Sequence, residues 1–467
     1  MDTNLIIKSI KKLESEINIR KLWNVGFHRD PTKYYFAVTY PPVTLAKKIS
    51  EKEIFSGYSL KGKKVALYFH IPFCSRKCTF CPYFSIVTED TERQNYLKYL
   101  KKEIELTKKY LSEDLDIIAV YVGGGTPTLL KPDQLDDLLR FIHNEFNLSN
   151  DVEFTVETHP EIIRGDFKKY LDILKKNKVN RVSIGMQTFD DEILLSTKRG
   201  HTAEEAIKFF KEVKKYNFSC VIIDLLYGLP NQTIGSWAKD LEIAYSLNPD
   251  VVTTYCMEVK DWTPIYQQYE NELFRFPNEY LYHLFYVMAS EKAKQEKHTE
   301  IPVLYFPKKK DHFKYATDVF GQSEGSNVIS FGTGGYSFVN GYQYFGYQNI
   351  DNYYQSIDKN QLPINKGIKL SFEDRMARNI ILGLRMTSRV NKEKFKQFFN
   401  KDLNEVYKAT LTKFKKLELL KENENEIYLT DSGNLFLEEL CLHFIPQSTL
   451  SKLKGLKGEY DRFYRIE

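Results

Sequence analysis

The sequence predicts an α/β protein built on a partial (β/α)6 barrel, with an N-terminal arm and a small C-terminal winged-helix-like domain. Three observations predict it. Short apolar runs recur at intervals of roughly 30–50 residues, with helix-like stretches between them. Polar residues collect at the C-terminal ends of those runs. Beyond residue 370 the pattern becomes helical and closes on a short strand signal.

Residues 1–61 contain TYPP (39–42), and their aromatic and proline content suggests a packed extended arm rather than a helix. The barrel is expected over 62–285. Its strands are VALYFHIPF (65–73), IIAVYVGGG (117–125), DVEFTVETHP (151–160), NRVSIGMQTFD (180–190), FSCVIIDLLYGLP (218–230) and DVVTTYCME (250–258). Stretches such as ERQNYLKYLKKEIELTKKYL (92–111) and AEEAIKFFKEVKKY (203–216) supply the helices. A repeated β–α unit makes a parallel sheet with crossover helices. In DVEFTVE, Glu153, Thr155 and Glu157 share one face, opposite Val152, Phe154 and Val156. The polar phase is expected to line the barrel. Residues 286–370, with ISFGTGGYSFVNG (329–341), read as an aromatic, glycine-rich region capping the substrate side. Residues 371–467 read as three helices and a short β element.

Composition bounds the function. Of 467 residues, 42% are hydrophobic and 28% charged, which supports a large core and excludes a disordered chain. The charge balance, 67 − 62 = +5, is small for this length. It gives nucleic acid little support as a partner, even at the winged-helix-like end, and suits an anionic small molecule equally well. The N-terminus lacks the apolar stretch of a signal peptide, and no run approaches the ~18 apolar residues of a membrane span. The expected address is therefore cytoplasmic. Six cysteines are few for a disulfide scaffold, and three of them fall within eight residues.

Those three carry the strongest signal. Cys74, Cys78 and Cys81 stand in YFHIPFCSRKCTFC as CxxxCxxC. Three thiolates at this spacing can hold three irons of a cubane 4Fe–4S cluster, and the fourth iron is left without a ligand from the motif. An open iron can take the amine and carboxylate of a small molecule, and S-adenosylmethionine carries that pair beside its sulfonium. A structural zinc site is the alternative. It needs four ligands, and with no second CxxC pair only His70 is at hand to complete it.

Gly123, Gly124, Gly125 and Thr126 follow a strand directly, where glycines let backbone approach a ligand. Glu157, Gln187, Arg199 and Asp224 fall at strand ends, where a parallel α/β fold binds ligands. Their carboxylates and amide can bind ribose hydroxyls or an ammonium, and Arg199 a carboxylate. A solvated loop charge or a helix cap is the plainer alternative for each. Cys220 and Cys441 sit in apolar runs as core residues, whereas Cys256, at a strand end, can face the cavity. The aromatics of 329–346 suit packing, or a flat apolar substrate site.

These motifs resemble the radical S-adenosylmethionine superfamily, and more closely its oxygen-independent coproporphyrinogen III oxidase-like family. The likeness is carried by YFHIPFCSRKCTFC, VGGGTPTLL, RVSIGMQTFD, Arg199 ahead of His201, IDLLYGLPNQT, TYPPV and LTDSGNLFLEELCLHF, and so covers most of the chain. It implies a barrel of the radical S-adenosylmethionine type and a 4Fe–4S cluster on Cys74, Cys78 and Cys81. It implies Tyr68, Gly124, Gly125, Thr126, Glu157, Gln187, Arg199 and Asp224 around one S-adenosylmethionine, with His70 counted among the same contacts. Phe80, Leu226 and Cys256 fall where a second S-adenosylmethionine is contacted in such proteins. A small-molecule substrate and a reducing partner such as flavodoxin or ferredoxin are implied with them.

Tyr83 stands where the decarboxylating members carry a further cysteine. CPYF looks more like relatives that act on haem anaerobically, or that methylate and cyclopropanate aromatic substrates. The leading expectation is accordingly a radical enzyme modifying a tetrapyrrole or other conjugated ring, in one form a two-S-adenosylmethionine (class C-type) methyltransferase or cyclopropanase. The alternatives are oxidative decarboxylation of coproporphyrinogen III and a haem-binding chaperone.

Overall fold

The computed structural model describes residues 2–29, 39–111, 114–301, 304–309, 313–320, 326–454 and 456. The six predicted strands form as β1 (Lys64–Ile71), β2 (Asp116–Gly124), β3 (Glu153–Thr158), β4 (Arg181–Gln187), β5 (Cys220–Tyr227) and β6 (Val251–Cys256). They pair in sequence order, all parallel. Their outward side chains meet helices such as Asp90–Lys108, Pro132–Phe146, Ala203–Lys215 and Ile234–Ser246, and most of the barrel core lies between these layers. Local chemistry sets the helix starts. Thr202 and Glu205 form a capping box, as do Thr233 and Ser236, and Pro132 opens its helix without losing a hydrogen bond.

The sheet does not end at six strands. It continues with β7 (Tyr305–Pro307), β8 (Ser326–Phe331), β9 (Tyr336–Val339), β10 (Tyr342–Gly346) and β11 (Ile364–Lys369). Among the described residues the order is β11-β10-β9-β8-β1-β2-β3-β4-β5-β6-β7. β8 runs parallel to β1, and β7 antiparallel to β6. Residues 326–369 therefore extend the wall beside the cysteine motif and do not cap it. The expected boundary at 285/286 also falls inside one continuous helix, Glu279–Gln295. Phe331, Phe338, Tyr342 and Tyr344 of the glycine-rich region are buried, so these aromatics serve packing.

The floor of the barrel is plugged. Ala66 and Ala119 leave room for Ala316, Val319 and Phe320, joined there by Leu382 and Met386 of helix Phe372–Thr387. Glu153 accepts the backbone N–H groups of Lys314 and Tyr315 at 2.8 and 3.0 Å, which hooks this segment into the interior. The buried Arg181 guanidinium stands 4.6 Å from the Phe313 ring centre and donates to Tyr305 Oη.

The N-terminal region differs from its expectation. Residues 3–24 hold the helices Thr3–Lys11 and Ile19–Asn24, where an extended arm was expected. Leu5, Leu13, Ile19 and Leu22 recur at helical spacing and are buried, and this period outweighs the TYPP signal. Residues 30–38 lie outside the described set. Lys12 joins this region to the rest through Glu291 (2.7 Å) and Asp431.

The C-terminal part carries β12 (Arg389–Asn391), β13 (Leu420–Glu422) and β14 (Glu426–Leu429) in the order β12-β14-β13. The helices Lys392–Phe399 and Lys408–Lys416 pack against them, a winged-helix-like arrangement. No helix among the described residues is long and apolar enough to cross a membrane.

Candidate active site at the barrel mouth

The cysteine loop leaves the C-terminal end of β1 and packs on the glycine turn that leaves β2. Gly125 N–H donates to the Ile71 carbonyl (2.7 Å) and Thr126 N–H to the Phe73 carbonyl (2.8 Å), one residue before Cys74. Thr126 Oγ1 lies 3.8 Å from Cys74 Sγ. Each glycine is a steric requirement. A Cβ on Gly125 would sit 2.5 Å from the Phe73 oxygen, and one on Gly123 2.7 Å from the Glu157 carboxyl. Gly124 has φ +115, and a Cβ there would enter the His70 ring at 2.6 Å. The turn is thus a slot shaped by Glu157, His70 and the cysteine loop.

Glu157 is the polar centre of the mouth. It accepts from Tyr121 Oη at 2.8 Å and from Gly124 N–H at 3.0 Å. Burial still outweighs these bonds and pushes its carboxyl up to about 7. Asp224, two strands along on β5, accepts from Ser183 Oγ and Thr253 Oγ1, and burial raises it as well. Tyr68 Oη is 3.2 Å from His70 Nδ1, and His70 Nε2 is 3.2 Å from the Phe84 carbonyl. Burial drives His70 down to about 4, so the ring is neutral and braces the loop. Gln187 sits at a β4 bulge with φ 71, a strained setting for a non-glycine residue. That bulge returns its amide to the inner side, 3.0 Å from the place of a Gly185 Cβ. Arg199 donates to the Gly185 carbonyl, and its Nη1 lies 3.5 Å from Cys78 Sγ.

The structure brings Cys74, Cys78, Cys81, Tyr68, His70, Gly124, Gly125, Thr126, Glu157, Gln187, Arg199 and Asp224 to one mouth. Phe80 and Leu226 share an apolar cluster with Ile193, Leu229 and Met257 beside it. Cys256 does not face the cavity. It is in phase with Val252 on the outer side of β6, pairs across to Tyr227, and packs against the main core. Burial there pushes its thiol up to about 12. The residue in phase with Thr253 and Asp224 is its neighbour Tyr255.

Tyr255 and Tyr83 were missed as a pair. They are 44% and 68% exposed, yet desolvation raises both phenols. Both facts hold for rings that line a recess, open to water but with protein on most sides. Glu157 and Asp224 act on Tyr255; Glu258 and Arg385 act on Tyr83. Trp262, 62% exposed, donates to the Pro82 carbonyl at 3.1 Å beside them. Only the strand phase could have shown Tyr255 in the sequence, and a shift of one residue reverses that phase.

The donor set fits an iron–sulfur cluster. Three thiols share one loop, and burial raises Cys74 and Cys81, a cost that bound cationic iron offsets. The buried Arg199 Nε has no hydrogen-bond partner among the described residues, so its guanidinium keeps donor capacity at the mouth.

Residues 68–244 match the radical SAM superfamily model, and residues 370–436 the HemN C-terminal domain. The chain belongs to the radical S-adenosylmethionine superfamily, in its oxygen-independent coproporphyrinogen III oxidase-like family. Membership in this superfamily implies a 4Fe–4S cluster and S-adenosylmethionine. An oxygen-independent coproporphyrinogen III oxidase of Helicobacter pylori (strain ATCC 700392 / 26695) is 28% identical over 400 residues, 81% of this chain and 85% of the relative. The heme chaperone HemW of Bacillus subtilis (strain 168) is 26% identical over 381 residues, 81% of this chain and 99% of the relative. The solved coproporphyrinogen III oxidase (HemN) of Escherichia coli has the same fold, with a TM-score of 0.77 and 24% identity over 88% of this chain and 97% of its own. The expectation of a two-S-adenosylmethionine methyltransferase finds no support in these relatives, which are named as oxidases and a haem chaperone.

Proposed function

We propose that this protein cleaves S-adenosylmethionine reductively and oxidises a reduced tetrapyrrole of the coproporphyrinogen III kind. A cluster on Cys74, Cys78 and Cys81, when bound, supplies one electron that splits the carbon–sulfur bond and yields a 5′-deoxyadenosyl radical. The protein binds, orients and excludes water. Glu157 and the Gly123–Gly125 turn receive the ammonium of the methionyl part, Arg199 its carboxylate, and Asp224 with Gln187 the ribose hydroxyls. Tyr68 and His70 hold the floor beside the cysteine loop, and Phe80 and Leu226 offer an apolar wall. The recess bounded by Tyr83, Tyr255 and Trp262 suits a flat ring system. The electron comes from a small redox protein of the flavodoxin or ferredoxin kind.

The observation that carries this reading is the convergence of the cysteine loop, the glycine slot and Glu157 on one end of β1, β2 and β3. Its test is anaerobic turnover of iron- and sulfide-reconstituted protein with dithionite and coproporphyrinogen III. The expected products are 5′-deoxyadenosine, carbon dioxide and a vinyl group, all absent with Cys78→Ala. S-adenosylhomocysteine as the main adenosine product would contradict it and restore methyl transfer. A haem chaperone is the second reading, favoured by the match to HemW along 99% of that relative. Tight haem binding with no turnover of coproporphyrinogen III would select it.

A further inference from the structure

Glu161 lies just outside the slot, in the turn Pro160–Arg164 after β3. Its carboxylate accepts from Arg76 Nη2 at 2.7 Å, Ser75 Oγ at 3.3 Å and Arg164 Nη1 at 3.3 Å. Arg76 and Ser75 belong to the cysteine loop. The same carboxylate packs on Gly200: a Cβ there would lie 2.4 Å from Glu161 Oε2 and 3.0 Å from Arg76 Cζ.

Gly200 ends the segment Thr197–Gly200, which lies along the Cys78 side of the loop. Thr79 N–H donates to the Thr197 carbonyl at 3.1 Å, the Lys198 carbonyl is 4.0 Å from Cys78 Sγ, and Arg199 Nη1 is 3.5 Å from that sulfur. The segment is therefore held at both ends, at Thr197 by backbone and at Gly200 by the Glu161–Arg76 contact. The Arg76 side chain is 46% exposed, so the ion pair itself contributes little. Its effect is geometric, because Gly200 beneath it is buried and leaves no room.

We propose that Glu161 is a positioning residue for the Cys78 corner: it clamps the Thr197–Gly200 segment to the cysteine loop and so keeps the Arg199 guanidinium on the Cys78 sulfur. Its functional meaning rests on reading the three thiols as cluster ligands. A donor held on a ligating sulfur tunes a cluster's electronics and its access to water. Glu161 itself touches neither cofactor nor substrate.

The test measures alkylation of each cysteine by iodoacetamide in cluster-free, full-length protein, followed by peptide mass spectrometry. Glu161→Ala, which removes the packing group, is expected to raise the Cys78 rate several-fold and leave Cys74 unchanged. Gly200→Ala, which pushes a methyl group into the same carboxylate, is expected to do likewise. Glu161→Gln, which keeps the shape, should retain most of the protection. Glu205→Ala is the control: Glu205 binds Arg164 at 2.6 and 2.7 Å and carries neither the Arg76 nor the Gly200 contact. It should leave Cys78 unchanged. An unchanged Cys78 in Glu161→Ala overturns the proposal, and so does a rise at every cysteine including buried Cys220 and Cys441, which reports loosening of the whole fold. In reconstituted protein the reduced cluster of Glu161→Ala should show altered EPR g-values, and identical spectra count against the clamp. A wild-type protein that takes up no cluster sinks the cluster reading instead, while the alkylation rates still decide the role of Glu161.

Discussion

Replacing Gly125 with alanine would push a methyl group into backbone that cannot step aside. The new Cβ would lie 2.5 Å from the Phe73 oxygen and 2.9 Å from both Phe73 C and Phe73 N. Ordinary contact lies near 3.5 Å, so about 1 Å must be found by moving the Phe73–Cys74 segment. The Gly125 and Thr126 N–H bonds to Ile71 and Phe73 resist that movement. Overpacking of this kind costs about 1–3 kcal/mol in stability. The loss of function should be larger, because a displacement of about 1 Å at a reacting geometry can cost roughly 100-fold in rate. The assay is 5′-deoxyadenosine formation per cluster, with thermal melting and iron content measured on the same samples. A folded Gly125→Ala protein with reduced iron content or a large rate loss agrees with the slot. Full iron content and wild-type cleavage would refute the steric reasoning.

Further outcomes follow from other contacts. Burial holds the carboxyls of Glu103, Glu157 and Asp240 near 7, so each stays protonated in the fold at a pH where the unfolded chain has ionised it. Their stability contribution is complete below the ordinary carboxyl range and is lost as pH rises through about 7. For Glu103 the loss is on the order of 3 kcal/mol, and Glu103→Gln should narrow the melting-temperature gap between about pH 5 and about pH 8. An unchanged gap would contradict the burial argument. Tyr255→Ala should weaken tetrapyrrole binding, read as quenching of Trp262 fluorescence, whereas Cys256→Ala should leave S-adenosylmethionine cleavage intact; the opposite pattern would reverse the β6 phase. Lys12→Ala should cost less than the roughly 3–5 kcal/mol of an orphaned buried charge, because Lys8 and Lys294 still face Glu291 at 2.8 and 3.5 Å. Denaturant titration reads that loss directly.

The barrel was legible because a strand buried on both faces must be written as a short apolar run, and six such runs stand out between charged helices. The cysteines, the glycines and the strand-end carboxylates were legible for a related reason: their chemistry is local in the sequence. What was missed depends on distant partners. β8 adds to β1 in parallel only because the chain returns after more than two hundred residues, and nothing in ISFGTGG announces that pairing. The Phe313–Phe320 plug is set by the small side chains Ala66 and Ala119 on other strands. The N-terminal helices were overlooked because TYPP drew weight from the Leu5, Leu13, Ile19, Leu22 period. Cys256 was misplaced by a single step of strand phase, which turns a side chain from one face of the sheet to the other.

One measurement tests the heart of the matter. Protein reconstituted under nitrogen, reduced with dithionite and frozen should give the EPR spectrum of one reduced 4Fe–4S cluster. Adding S-adenosylmethionine should shift that spectrum, because the iron without a cysteine is the one free to bind it. A spectrum that ignores S-adenosylmethionine, or a Cys78→Ala variant that keeps the wild-type signal, would contradict the three-thiol site.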